Sequence, residues 1–175
     1  MERVLILGYG NVSRQDDGVG YHVVNALARR LGREPLAVDD DGLDARGHRV
    51  DLACVHQLTP ELADILAEYD EVLFVDAHTG TIEDEIRWTP VDGHYIPSGF
   101  THHMTPGALL LTAKALHGRA PRAHLISVRG YEFGFGTFLS PRTAKLCQRA
   151  AEMIARHLQG AGLMPAAEGG EPGDA

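Results

Sequence analysis

Two adjacent carboxylates, Asp16 and Asp17, stand in the glycine-rich segment GYGNVSRQDDGVG, directly after a short apolar run. Acidic residues are common at the beginning of a helix, so capping is the simplest account of either one. Two neighbouring negative charges nevertheless repel each other unless a positive group or a proton approaches. Capping therefore accounts for one of the two acids, and the other needs a second explanation.

Asp76 and a pair of histidines supply the other groups that can do chemistry. Asp76 follows residues 72–75, the most apolar run of the chain, and His102 and His103 lie in a loop that leads into a predicted helix. Two carboxylates and an imidazole form an oxygen- and nitrogen-rich site suited to nickel, zinc or a similar divalent ion. Three protein ligands leave coordination positions open for a substrate-borne ion or for water.

These side chains have to be positioned by an α/β fold, because apolar strand-like runs alternate with helical segments along the chain. Strands are predicted at residues 4–7, 50–55, 72–75, 85–91 and 124–128, and helices over residues 19–31, 59–66, 105–116 and 140–158. The predicted fold is a three-layer α/β/α sandwich with a twisted, mostly parallel sheet, one edge strand and helices on both faces. In such a sheet the ends of strands one and three face one crevice, where the acids of the first loop and Asp76 would meet.

Three residues that precede a proline mark predicted helix starts, because the first residue caps the helix and proline fits the first helical position. They are Thr59, Thr105 and Ser140. Residues 33–48 are charged and aperiodic, which predicts a surface loop. Residues 1–158 are predicted to form one domain, and residues 159–175, rich in Gly, Ala, Glu and Pro, a disordered tail.

Composition narrows the functional classes. The chain has 175 residues, a net charge of −8 and a pI near 5.6, which argues against nucleic acid or an anionic membrane as partner. No apolar run approaches the roughly 18–20 residues of a membrane span, and the N-terminus resembles a first strand rather than a signal peptide. We therefore expect a cytoplasmic protein. Nothing suggests a coiled coil or a large apolar stripe, so a monomer is expected.

Other common chemistries fit the sequence poorly. Gly8 and Gly10 resemble the opening of a dinucleotide-binding fingerprint, but Ser13 stands where the third glycine belongs, and nearby carboxylates would repel a pyrophosphate. No tightly bound organic cofactor is expected. A serine nucleophile elbow is absent from the sequence. Cys54 and Cys147 have no metal-ligand spacing and no disulfide framework, and both are predicted to be small buried apolar residues.

Four segments, in their order and spacing, resemble the nickel–iron hydrogenase maturation proteases. They are VLILGYGNVSRQDDGVG, VLFVDAH, THHMTP and HLISVRGYEFGFGTFLSP, and the resemblance as a whole covers residues 3–158. The resemblance implies an α/β endopeptidase that removes a C-terminal extension from the precursor of the hydrogenase large subunit once nickel has been inserted. Nickel would then arrive with the substrate, and the protease would recognise it there.

The resemblance also implies which residues engage the nickel and serve catalysis: Asp17, Asp76 and His103. Asp16 and His102 are the adjacent alternatives for the first acid and the histidine. His56 follows the second strand and is expected near the same edge, either in contact with the substrate tail or in a structural role. Two other hypotheses are a binding module that checks or delivers nickel without cutting, and a metal-dependent hydrolase of small amides.

Overall fold

A computed structural model describes residues 1–93 and 103–166 of the chain. Its strands and helices are β1 (Val4–Tyr9), α1 (Val19–Arg30), β2 (Val50–Val55), α2 (Leu62–Leu66), β3 (Glu71–His78), β4 (Ile86–Pro90), α3 (Pro106–His117), β5 (Arg122–Arg129) and α4 (Pro141–Gly160). The alternation of strands and helices predicted from the sequence is confirmed. The predicted tail, residues 159–175, begins too early, because α4 continues to Gly160 and Leu163 and Met164 pack against the core. Disorder of residues 167–175 stays a prediction, because they lie outside the described residues.

The five strands form one sheet in the order β2-β1-β3-β5-β4. All neighbours pair in parallel except the edge strand β4, which runs antiparallel to β5 and carries Pro90. Proline is tolerated there because an edge strand has one side without a pairing neighbour. In the register, Gly8 of β1 lies opposite Cys54 on one side and Val75 on the other. The carboxyl ends of β1, β2 and β3 therefore meet at one edge of the sheet.

Both faces of the sheet are covered by helices, which explains the continuous apolar run of β1. Val4 and Ile6 pack with α1 and α4, whereas Leu5 and Leu7 pack with α2 and α3. Each of these four side chains is fully buried, and burial of one such side chain stabilises the fold by about 1.5–3 kcal/mol. The three-layer α/β/α prediction is thus confirmed. Of the helices in the described residues, none is both long and apolar enough to cross a membrane.

Two of the three predicted helix caps form. The Thr105 hydroxyl accepts a hydrogen bond of 3.2 Å from the amide three residues later, and the Ser140 hydroxyl lies 3.5 Å from the equivalent amide. The prediction at Thr59 is wrong: the helix begins at Leu62, whose amide donates to the Thr59 carbonyl in a tight turn. The loop predicted between α1 and β2 contains one short 3-10 turn, Leu43–Ala45.

Candidate active site

Glycines bring the first loop and α1 close against the sheet. A Cβ atom on Gly20 would lie 2.7 Å from the Val75 carbonyl oxygen and 3.1 Å from the Gly8 Cα. Gly10 has a φ of +138°, and a Cβ there would overlap the Asp17 carbonyl oxygen. Only glycine satisfies these approaches, because any side chain would collide with backbone. The glycines of this segment thus serve packing, which places Asp17 beside the end of β1.

The carboxylate of Asp16 is fully buried and joins the first loop to the segment that leads into α4. It accepts hydrogen bonds of 2.6–2.9 Å from five donors: the amides of Tyr131, Glu132 and Ser140 and the hydroxyls of Ser140 and Thr143. The capping interpretation is wrong for this acid, because the N-cap of α1 is Gly18 and no side chain caps that helix. Asp16 therefore has a structural role: it holds the first loop against the segment before α4.

The hydrogen bonds also keep Asp16 ionised. Burial by itself would raise the pKa of this carboxyl, but the Ser140 hydroxyl and the three backbone amides outweigh burial and hold the pKa below its usual value. The oxygens of this carboxylate are occupied by strong hydrogen bonds within the fold and are not free to bind a ligand. The neighbouring acid, Asp17, is the one that faces open space.

An open cleft of about 420 Å³ lies at the carboxyl edge of the sheet, between the ends of β1 and β3. Chain connections leave the sheet in opposite directions at this point, and α/β folds commonly bind ligands there. The residues predicted for the site line this cleft: Asp17, Asp76, His103 and also His56. Across residues 1–93 and 103–166, no three His, Cys, Asp or Glu side chains are arranged to hold a metal ion. His102 lies outside the described residues.

Asp17 and Asp76 are held by backbone amides and are close enough to influence each other. Asp17 Oδ2 accepts a hydrogen bond of 2.8 Å from the Asn11 amide, and Asp76 Oδ1 accepts one of 2.8 Å from the Ala77 amide. Burial raises the pKa of Asp76 to about 7, the negative charge of Asp17 adds to the rise, and the Ala77 amide and Tyr9 hydroxyl oppose it. A carboxyl that exchanges its proton near neutral pH is typical of functional sites.

Tyr9, Asn11 and Arg14 also line the cleft and were not predicted. Tyr9 is the last residue of β1, and its ring meets Phe74 edge-to-face with centroids 6.5 Å apart. Burial, and then the charge of Asp76, raise the pKa of the Tyr9 hydroxyl, so that this group stays a neutral donor. The signal that would have found Tyr9 is the same strand-end rule that found Asp76.

The two cysteines take no part in the cleft chemistry. Both are free and buried, as predicted. Burial raises the pKa of the Cys54 thiol and of the Cys147 thiol to about 12. The thiolate, which is the nucleophilic form, is therefore not populated at neutral pH.

The chain closely resembles several solved structures. It matches the NiFe hydrogenase maturation protease HycI from Thermococcus kodakarensis KOD1 with a TM-score of 0.65 and 22% identity, over 90% of this chain and 92% of that one. It matches the hydrogenase maturating endopeptidase HybD from E. coli with a TM-score of 0.66 and 20% identity, over 91% and 94%. A third match, HybD from Thermococcus kodakarensis, has a TM-score of 0.60 and 23% identity, over 89% and 98%.

These likenesses define a class by its fold. No protein-family model and no curated protein sequence matches the chain. The chain nevertheless has the open, mostly parallel α/β fold of the hydrogenase maturation proteases over about nine tenths of its length. The fold expected from the sequence resemblance is therefore the one that the structure has.

The raised pKa of Asp76 predicts a stability effect for Asp76→Asn. The folded carboxyl binds its proton more tightly than the unfolded one, so the wild type loses stability as pH rises from about 4 towards 7. Asparagine has no charge to desolvate. The free energy of unfolding of the variant at pH 8 is expected to exceed that of the wild type by about 1–2 kcal/mol. This is less than the whole pKa difference would give, because solvent in the open cleft screens the charge.

Urea unfolding at pH 4.5 and pH 8 measures this difference. The gap between variant and wild type should be present at pH 8 and nearly vanish at pH 4.5. Asp39→Asn, a change at an exposed position in the loop before β2, is the matched control and should show no such pH dependence. An Asp76→Asn protein that is no more stable than the wild type at pH 8 would contradict the prediction.

Proposed function

We propose that this chain is an endopeptidase that removes a C-terminal extension from the nickel-loaded precursor of a NiFe hydrogenase large subunit. One observation carries the proposal: Asp17, Asp76 and His103, from three distant parts of the sequence, line a single open cleft. The fold shared with HycI and HybD supports it. Cytoplasmic location and a monomeric state stay predictions from the sequence.

Nickel recognition is proposed to use the repulsion between two carboxylates. Burial and, to a smaller extent, the negative charge of Asp17 raise the pKa of Asp76 to about 7, so Asp76 carries a proton for about half of the time at neutral pH. A divalent cation removes this repulsion and favours both ionised forms. The three side chains then add ligands to an ion that the precursor already holds in part, and a precursor without nickel leaves the repulsion unrelieved. Specificity follows from correct assembly of the substrate.

Hydrolysis is proposed to use water polarised by the nickel of the substrate. A bound cation lowers the pKa of a neighbouring carboxyl, so Asp76 in contact with nickel would lose its strength as a general base. The same cation lowers the pKa of a coordinated water and makes it a nucleophile. The water's oxygen adds to the scissile carbonyl carbon, the C–N bond breaks, and the proton passes to the departing amine. The Tyr9 hydroxyl stays a neutral donor and hydrogen-bonds to Asp76, which helps to hold that carboxyl in the cleft.

A mass measurement tests the proposal. The purified 175-residue chain is incubated with the large-subunit precursor in its nickel-loaded and nickel-free forms, and the precursor is followed by intact-mass spectrometry. We expect loss of a C-terminal segment from the nickel-loaded precursor alone. A stable complex without shortening would identify a nickel-checking module instead. A chain that shows no binding and no cleavage would overturn the proposal. Turnover of small amides without any partner would favour the hydrolase hypothesis.

A further inference from the structure

Two phenylalanines project into solvent from the segment between β5 and α4. Phe135 is 95% exposed and Phe138 is 61% exposed. Among large apolar side chains of the described residues, only Met1 at the chain terminus is more exposed than Phe135. We name residues 131–139 the aromatic loop. Two strongly exposed aromatic side chains in one short segment are candidates for contact with another protein, because Tyr, Trp and Phe are enriched in the cores of interfaces.

The aromatic loop is fixed in place by the first loop of the chain. The Gln15 amide donates to the Gly136 carbonyl at 2.9 Å, and the Gly136 amide donates to the Ser13 carbonyl at 3.0 Å. The Gln15 side chain accepts from the Gly134 amide at 2.9 Å. The buried Asp16 carboxylate secures the beginning of the loop and the start of α4. The exposed rings are therefore presented by an ordered backbone, which limits the entropy lost when a partner binds.

The aromatic loop also flanks the cleft. Arg14 lines the cleft and donates a hydrogen bond of 3.3 Å to the Phe133 carbonyl of the loop. Asp17, which engages the proposed nickel, stands in the same short turn as the residues that hold the loop. A protein that inserts its C-terminal segment into the cleft has to extend over the surface beside it.

We propose that Phe135 and Phe138 form a docking surface for the folded body of the hydrogenase large-subunit precursor, an inference that rests on the proposed function. A cleft of about 420 Å³ holds only a few residues of a peptide. Stable recognition of a folded protein needs roughly 800 Å² from each partner, so contacts outside the cleft are required. Rigid aromatic side chains contribute the largest share of affinity in such contacts. The aromatic loop is an apolar surface that adjoins the cleft and can supply these contacts.

The test compares Phe135→Ser, and Phe135→Ser with Phe138→Ser, against Leu116→Ser. Leu116 is 66% exposed and lies near the C-terminal end of α3, whereas the cleft residue His103 precedes the N-terminal end of that helix. Leu116 is therefore a matched control at a distance from the cleft. Binding of the nickel-loaded precursor is measured in an Asp76→Asn background to prevent turnover, and kcat and KM are measured with Asp76 intact. The double variant is expected to raise Kd and KM about tenfold or more with kcat nearly unchanged, and Leu116→Ser to change neither.

Three different results would contradict the proposed docking surface. Normal Kd and KM in the double variant would overturn the docking surface and leave the proposed function standing. A wild type that neither binds nor cuts the precursor would overturn both. A wild-type dimer that dissociates in the double variant, with precursor binding unchanged, would make a second copy of the chain the occupant. The single Phe135→Ser variant guards against misfolding, because a side chain that is 95% exposed contributes almost no packing.

Discussion

Trimming of the nickel-loaded precursor by the Asp76→Asn variant is expected to be slower than wild type by about a hundredfold or more. Asparagine has the shape of the aspartate, and its side-chain oxygen can still accept the hydrogen bond from the Ala77 amide. The variant loses the negative charge that would bind nickel and orient the reacting water. The chain should stay folded and, at pH 8, become more stable than the wild type. Single-turnover assays by intact mass measure the rate.

The opposite signs of the two Asp76→Asn effects make this prediction sharp. Substitution of a residue with only a structural role would lower both the activity and the stability of the protein. Substitution of a residue that is kept in an unfavourable charge state for function lowers the activity but raises the stability. Asp39→Asn should trim at the wild-type rate. An Asp76→Asn protein that trims normally would remove Asp76 from the site, and a variant that loses both activity and stability would assign it to the fold.

Most of the fold was predictable because its signals are local. The apolar run of β1 is buried on both faces, and the caps at Thr105 and Ser140 bond within their own first turn. The helix start predicted at Thr59 was wrong because α2 has only five residues and is held by buried Leu62 and Leu66. In so short a helix, tertiary packing decides the start and the capping signal has little weight.

The meeting of Asp17 and Asp76 at one cleft was predictable for a topological reason. Asp17 comes after β1, Asp76 lies near the carboxyl end of β3, and the parallel pairing of β1 with β3 brings those ends together. The rule does not say which of two neighbouring acids faces the crevice. That choice is made by donors more than a hundred residues away, around Tyr131 and Ser140, which bind Asp16. No local pattern in the first loop contains this information.

Asp16→Ala is expected to lower the free energy of unfolding by about 3–5 kcal/mol. Five donors would lose one shared acceptor in a site from which solvent is excluded, and burying unpaired amides and hydroxyls is costly. The wild-type contribution also depends on pH. Because the folded pKa lies below the unfolded value, it is present above the unfolded pKa and disappears as pH falls through the folded pKa. Urea unfolding at pH 7 and at pH 3 measures both effects.

Asp17→Ala is the matched comparison, because it removes the adjacent carboxylate and, within residues 1–93 and 103–166, one backbone hydrogen bond, from Asn11. It should lose about 1 kcal/mol of stability and most of the trimming activity. Asp16→Ala should in addition loosen the aromatic loop, so hydrogen exchange of the Glu132 and Gly134 amides should accelerate there and stay unchanged in Asp17→Ala. Equal destabilisation by the two substitutions would contradict this division. Two identical residues, one peptide bond apart, would then not differ in role, and burial would not be what separates the structural acid from the acid proposed to bind nickel.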